Sequence, residues 1–296
     1  MAQTQISRRE FWSGWLFSSP ALTLLTLFLL YPILSSLWMS FQIGKGMNFS
    51  FGGLANIDRL TQDSVFQHAL FNTFTFLLIQ VPIMIALALL LAVSLNDSKL
   101  WGRSLFRTAL FLPCVTSLVA YSVLFKSMFA IDGVINGLLQ TLHIISQPIP
   151  WLADPFWAKV LIILAITWRW TGYNMIFFLA SLQNIDPSIY EAARIDGIPR
   201  WAQFSKITLP ALKPVILFTT VTSTIGTLQL FDEVNTITSL GGPSDATLTL
   251  SLYIYYLSFR FVPSFGYAAT VSYVIVILVM ILSFLQFLIA RDRRRT

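Results

Sequence analysis

Six long stretches of this chain are almost free of Asp, Glu, Lys and Arg: residues 11–44, 64–96, 108–125, 158–182, 214–231 and 261–290. The fourth contains Arg169, with Lys159 at its edge. A bilayer core accepts about 20 apolar residues per helix, because a helix satisfies its own backbone groups where no water can. The pattern therefore predicts an all-α integral membrane protein with six transmembrane helices, over about 13–41, 66–95, 105–128, 158–183, 211–235 and 263–290. The whole chain, 1–296, reads as one transmembrane domain. Pro20, Pro32, Pro82, Pro113 and Pro214 lie inside these stretches or at their ends. Each interior proline frees a carbonyl and kinks its helix, so neighbouring helices must supply partners.

Composition agrees. Charged residues are 11% of the 296, against about 25% in soluble domains. Hydrophobic residues reach 56%, too many for a water-facing surface. The single cysteine, Cys114, excludes a disulfide framework and reads as a small buried hydrophobe.

The net charge of +6 is a topology signal. Thirteen basic residues fall on one side: Arg8, Arg9, Lys99, Arg103, Arg107, Arg194, Arg200, Lys206, Lys213, Arg291, Arg293, Arg294 and Arg295. Five fall on the other: Lys45, Arg59, Lys126, Lys159 and Arg260. The richer side is cytoplasmic, which places both termini there and removes the reason to invoke nucleic acid. The opening Ser7-Arg8-Arg9-Glu10-Phe11 reads as a cytoplasmic anchor rather than an export signal, since five further spans follow.

The residues of common active sites are missing. There is no G-x-x-x-x-G-K-[ST], no H-E-x-x-H and no G-x-S-x-G. His68 and His143 fall at a span edge and in an external loop, so neither reads as a metal ligand or a base. Neither enzyme activity nor a bound metal is expected.

The segment from Asn184 to Pro210 is the most informative. Asp186 before Pro187 reads as an N-cap and first helical residue, and Gly197 as a C-cap. A second helix starts after Pro199 and carries Trp201, Phe204 and Ile207 at spacings of three. A compact helix-turn-helix on the cytoplasmic face is thus expected over about 186–208. Glu191-Ala192-Ala193, Asp196-Gly197 and Ile207-x-Leu209-Pro210 resemble the EAA motif of ABC importer permeases. The flanking Phe178-Leu-Ala-Ser-Leu-Gln-Asn-Ile-Asp-Pro and Gly241-Gly-Pro-Ser-Asp-Ala-Thr-Leu resemble the maltose-type carbohydrate permeases, in particular the first subunit of the heterodimeric pair.

The resemblance implies the type I importer permease fold in a bacterial inner membrane. It also implies a second permease of similar fold, two copies of a cytoplasmic ATPase, and a periplasmic or lipid-anchored solute-binding protein. ATP is then used by the partner subunits, and this chain binds no cofactor. Docking to the ATPase is implied for Glu191, Ala192, Ala193, Asp196, Gly197, Ile207, Leu209 and Pro210. The two alanines would keep one helix face thin, and Glu191 would offer a charge.

The run Trp168-Arg169-Trp170-Thr171-Gly172-Tyr173-Asn174 is the richest polar-aromatic patch in any span. Aromatic faces beside polar groups suit sugars, although Trp and Tyr also anchor helices at membrane edges. Thr220, Ser223, Thr224 and Thr227 share a face of the fifth span, for a cavity or for helix–helix hydrogen bonds. The resemblance matches Trp168, Arg169, Trp170, Tyr173, Thr224, Thr227, Leu228 and Phe231 to positions lining the sugar pathway. Arg169 has two readings: a partner in Asp232 or Glu233, or a carboxylate-bearing sugar such as a uronate. A stand-alone secondary transporter would need coupling carboxylates, and only Asp232 and Glu233 come near.

Overall fold

The computed structural model describes residues 8–46, 48–97 and 99–292. Ser7, Arg293, Arg294 and Arg295, counted above, lie outside them. Contacts divide the chain into two units, one of Met1–Gln62 with Tyr255–Tyr273, the other of Asp63–Ile254 with Val274–Thr296.

In the first unit, α1 (Arg8–Leu25), a wide π turn (Thr26–Leu30) and α2 (Tyr31–Ser40) run as one helical stretch. Its apolar side chains are largely exposed, as suits a helix facing lipid or another chain. A short antiparallel hairpin follows, β1 (Gln42–Lys45) against β2 (Asn48–Phe51), in register Gln42 to Phe51. The apolar pattern did not foresee it, because it lies in the few residues between the first two spans. The next helix, α3 (Ala55–Gln62), carries buried Asn56, whose amide donates to the carbonyls of Ser40 and Gln42 at 2.9 and 2.8 Å. The Arg59 guanidinium lies 3.9 Å from the Tyr267 ring centroid.

The second unit is built on α4 (Ser64–Asn96) and α8 (Pro155–Gln183). Asp63 and Asp154 cap them, each accepting two backbone N–H bonds. In both helices the buried residues recur at three- and four-residue steps: Ala69, Thr73, Phe76, Gln80, Met84, Ala88 and Ala92 in α4, and Ala158, Leu161, Ala165, Arg169, Gly172, Met175 and Leu179 in α8. Small residues let apolar helices approach where no hydrophobic drive separates them from lipid. The closest approach is at Gly172, where a Cβ would stand 1.8 Å from the Leu110 carbonyl oxygen. Ala88, Ala92, Leu95, Met175, Phe178, Leu182 and Leu212 close the core at the other end.

Three expected elements differ. The third span is not one helix over 105–128: α5 (Arg103–Val115) and α6 (Leu118–Met128) meet at 101° across Thr116 and Ser117. Pro113 withholds an N–H in the last turn of α5, Thr116 is extended and Ser117 is also non-helical. The fifth span ends early. α11 (Leu209–Leu228) stops, Phe231 departs from helical geometry, and α12 (Asp232–Ile237) starts afresh. The second coupling helix is not separate: α10 (Arg200–Gln203) and a π turn (Phe204–Thr208) run directly into α11, a helical stretch Arg200–Leu228. The wide turn lies just ahead of Pro210, which has no N–H to give. Between them, α7 (Val134–Thr141) and α9 (Pro187–Ile195) are short, and α13 (Leu250–Tyr255) precedes the final α14 (Phe265–Asp292).

Candidate functional site: an internal cavity and a coupling loop

A cavity of about 400 Å³ opens within the second unit. That is inside the roughly 300–1,000 Å³ range of small-molecule sites. α4 contributes Gln80 and Met84, α8 contributes Ile166, Trp170, Tyr173 and Asn174, and α6 contributes Leu118. α11 contributes Thr222, Ser223, Gly226 and Thr227, and the chain beyond it Gln229, Leu230, Phe231, Asp232 and Glu233. The Trp170 and Tyr173 rings meet edge to face at 5.6 Å, forming an aromatic wall. Opposite Gly226 there is no atom within 4 Å of a Cβ, so its missing side chain leaves room.

Part of the lining is a buried polar chain. Thr227 donates to Gln80 Oε1 at 3.1 Å, Gln80 Nε2 donates to Met84 Sδ at 3.1 Å, and Asn174 Nδ2 donates to the Trp170 carbonyl at 3.0 Å. Four residues matched to the sugar pathway line the cavity: Trp170, Tyr173, Thr227 and Phe231. The other four stand elsewhere. Trp168 stacks on Tyr121 at 5.9 Å and joins α8 to α6. Thr224 accepts a bond from Gln286 at 2.8 Å, an interhelical role. Leu228 is buried in packing. Asn174, the last residue of the polar-aromatic run, lines the cavity too, whereas Gln80 and Met84 were missed; a polar residue in the apolar α4 stripe was the available signal.

Arg169 also stands outside the lining. It is 6% exposed and lies over the Tyr121 ring at 4.9 Å. One amino group donates to the Thr116 carbonyl at 3.3 Å, a group set free by the break between α5 and α6. Nε and the other amino nitrogen are buried without a partner. Neither Asp232 nor Glu233 bonds the guanidinium, although Glu233 lies within electrostatic reach of it. The reason is the early end of α11, which carries the two carboxylates onto α12. Among the described residues no cluster of three His, Cys, Asp or Glu side chains is placed to hold a metal ion.

The second feature is the loop of α9 and α10. The Asp186 carboxylate accepts from the Ser188 N–H at 2.9 Å and caps α9, and this bond holds its carboxyl below the usual carboxylate range. At the other end Gly197 adopts φ +73°. The N–H groups of Gly197 and Ile198 return to the carbonyls of Arg194 and Ala193 at 3.1 and 2.9 Å. This pair of bonds is a Schellman turn, and it needs a left-handed residue at position 197. Tyr190 and Thr208 share a hydroxyl–hydroxyl bond of 2.8 Å, tying α9 to the root of α11. Gln203 donates to the Ile198 carbonyl at 2.7 Å.

Glu191, Ala192, Asp196 and Gly197 are exposed, as are Leu209 and Pro210. Ala193 is not: it is buried, so its small size serves packing beneath α9 rather than an outer surface. Ile207 is half-buried. The apolar residues that do face outward are Ile189, Ile195 (87% exposed) and Trp201 (75%), none of which the motif marks.

A bundle of apolar helices around a partly polar cavity, with a rigid loop joined to one wall, defines a membrane transport subunit. The chain belongs to the family of binding-protein-dependent transport system inner membrane components, whose model matches residues 66–295. It is 65% identical over 283 residues to the lactose transport system permease protein LacF of Rhizobium radiobacter, covering 95% of each chain. It is 34% identical over 258 residues to the arabinooligosaccharides transport system permease protein AraP of Halalkalibacterium halodurans, covering 86% of this chain and 80% of the relative. Among solved structures, a bacterial ABC transporter involved in the import of the acidic polysaccharide alginate shares the fold, with TM-score 0.83 at 23% identity over 97% of both chains. This is an ABC importer permease and an inner-membrane component, and the secondary-transporter reading is set aside.

Proposed function

We propose that this permease passes a di- or oligosaccharide of the lactose type through the cavity beside Trp170 and Tyr173. The 65% identity to a lactose permease along nearly the whole chain supports the substrate class. The cavity supports the place: an aromatic wall faces hydroxyl and amide groups, which suits the C–H faces and hydroxyls of a sugar. Trp170 is the residue on which the reading turns. Trp170→Ala should abolish most lactose uptake while the complex still assembles, and uptake at the normal rate would refute it.

The rest of the machine is proposed with it. A second permease, as the other half of a heterodimeric pair, completes the pathway. Two cytoplasmic ATPase subunits hydrolyse ATP, a periplasmic or lipid-anchored binding protein delivers the sugar, and this chain itself catalyses no reaction and holds no cofactor. Glu191, Ala192, Ile195 and Trp201 meet the ATPase. Because α10 runs unbroken into α11, displacement of the loop is transmitted to the cavity wall that carries Thr222 and Thr227. Both termini lie in the cytoplasm; a reporter active only in the periplasm, fused to the C-terminus, should stay silent.

A further inference from the structure

We infer that Asp232 and Glu233 make this cavity a charge filter that passes uncharged sugars and rejects anionic ones, an inference that rests on the carbohydrate reading above. Three observations converge. The lining contains two carboxylates and, among the described residues, no Lys, Arg or His. Asp232 is exposed to an occupant, and Glu233, 5% exposed, adds a second carboxyl to the wall. Arg169, the cation next to the lining residue Trp170 in sequence, is held outside the lining by the Thr116 carbonyl and the Tyr121 ring.

The neutral lining groups point the same way. Gln80 and Asn174 direct amide N–H groups to Met84 Sδ and the Trp170 carbonyl. Thr222 and Thr227 direct their hydroxyl protons to the Phe218 carbonyl and Gln80 Oε1. These bonds use the two hydroxyl protons and one N–H of each amide, and leave the threonine hydroxyl lone pairs as acceptors for an occupant. A sugar hydroxyl donates to such acceptors, and most strongly to a carboxylate. A sugar carboxylate has nothing to donate to these carboxylates and would face like charge. A fold shared with importers of other substrates therefore becomes selective through the short stretch where α11 ends and α12 begins.

The test uses the purified permease–ATPase complex without binding protein, so that only the cavity selects. The probes are radiolabelled lactose and the disaccharide in which galactose C6 is oxidised to a carboxylate. Wild-type complex should bind lactose at least about tenfold more tightly than the acid, since one like charge nearby is worth that much. Asp232→Asn combined with Glu233→Gln should bring the two affinities together, by weakening lactose and strengthening the acid. Asp232→Asn alone, at an exposed position, should move them part of the way even where the buried substitution lowers yield. Discrimination should also shrink at high ionic strength through the exposed Asp232 component. Equal binding of both sugars by wild type, or discrimination unchanged in both variants, would overturn the filter and leave the carbohydrate reading standing. Failure of lactose to bind any form would overturn the carbohydrate reading and the filter together.

Discussion

Replacing Gly197 isolates backbone conformation from packing. No atom lies within 4 Å of a Cβ built there, so Gly197→Ala adds no clash. What it adds is a left-handed φ of +73° on a residue with a side chain, which costs about 1–2 kcal/mol. That corresponds to a shift of roughly 5- to 30-fold in the equilibrium between the formed and unravelled turn. Gly197→Asn should cost less, because its short polar side chain tolerates this region. Gly197→Pro fixes φ near −65° and also removes the N–H that bonds the Arg194 carbonyl, a further loss of about 1 kcal/mol. The series should therefore run Gly, Asn, Ala, Pro in falling order. The assay is sugar uptake in proteoliposomes alongside ATP hydrolysis stimulated by loaded binding protein. Insertion and the cavity should be preserved, so binding of lactose should persist while uptake falls. Normal uptake by the proline variant, or an alanine variant as impaired as proline, would refute the argument that this turn transmits motion by its backbone geometry.

Other outcomes follow from single contacts. Gly172→Ala places a methyl 1.8 Å from the Leu110 carbonyl, so α5 must move; a loss of about 1–3 kcal/mol should show as a lower melting temperature of the complex. Tyr190→Phe removes the bond to Thr208, worth about 0.5–1.5 kcal/mol, and should lower uptake per ATP hydrolysed, with Tyr190→Ala no less affected. Asp186 has its carboxyl held down by the Ser188 N–H, so its cap is fully present above the ordinary carboxylate range and fades only as pH falls below it; uptake should then show no step from this group between about pH 5 and 8. Arg169→Gln should lower complex yield, because the Thr116 carbonyl loses its donor, and adding Asp232→Asn should not restore it.

The sequence alone determined the membrane class, because long apolar stretches have one workable backbone solution in a bilayer. It also determined the coupling turn. Caps and left-handed positions are local, so Asp186, Pro187 and Gly197 announce their geometry without knowledge of the neighbours. Apolar spacing showed that residues 105–128 and 211–235 are lipid-compatible, but not that Thr116–Ser117 and Gln229–Phe231 leave the helix. Those two breaks were decided by packing, since a freed carbonyl survives only where a neighbour such as Arg169 reaches it. The same breaks took Arg169 out of the cavity wall and brought Asp232 and Glu233 into it. Which side of a helix faces inward depends on how the helices assemble, so Ala193 turned inward beneath α9, and Gln80 and Met84 became cavity lining by tertiary contact alone.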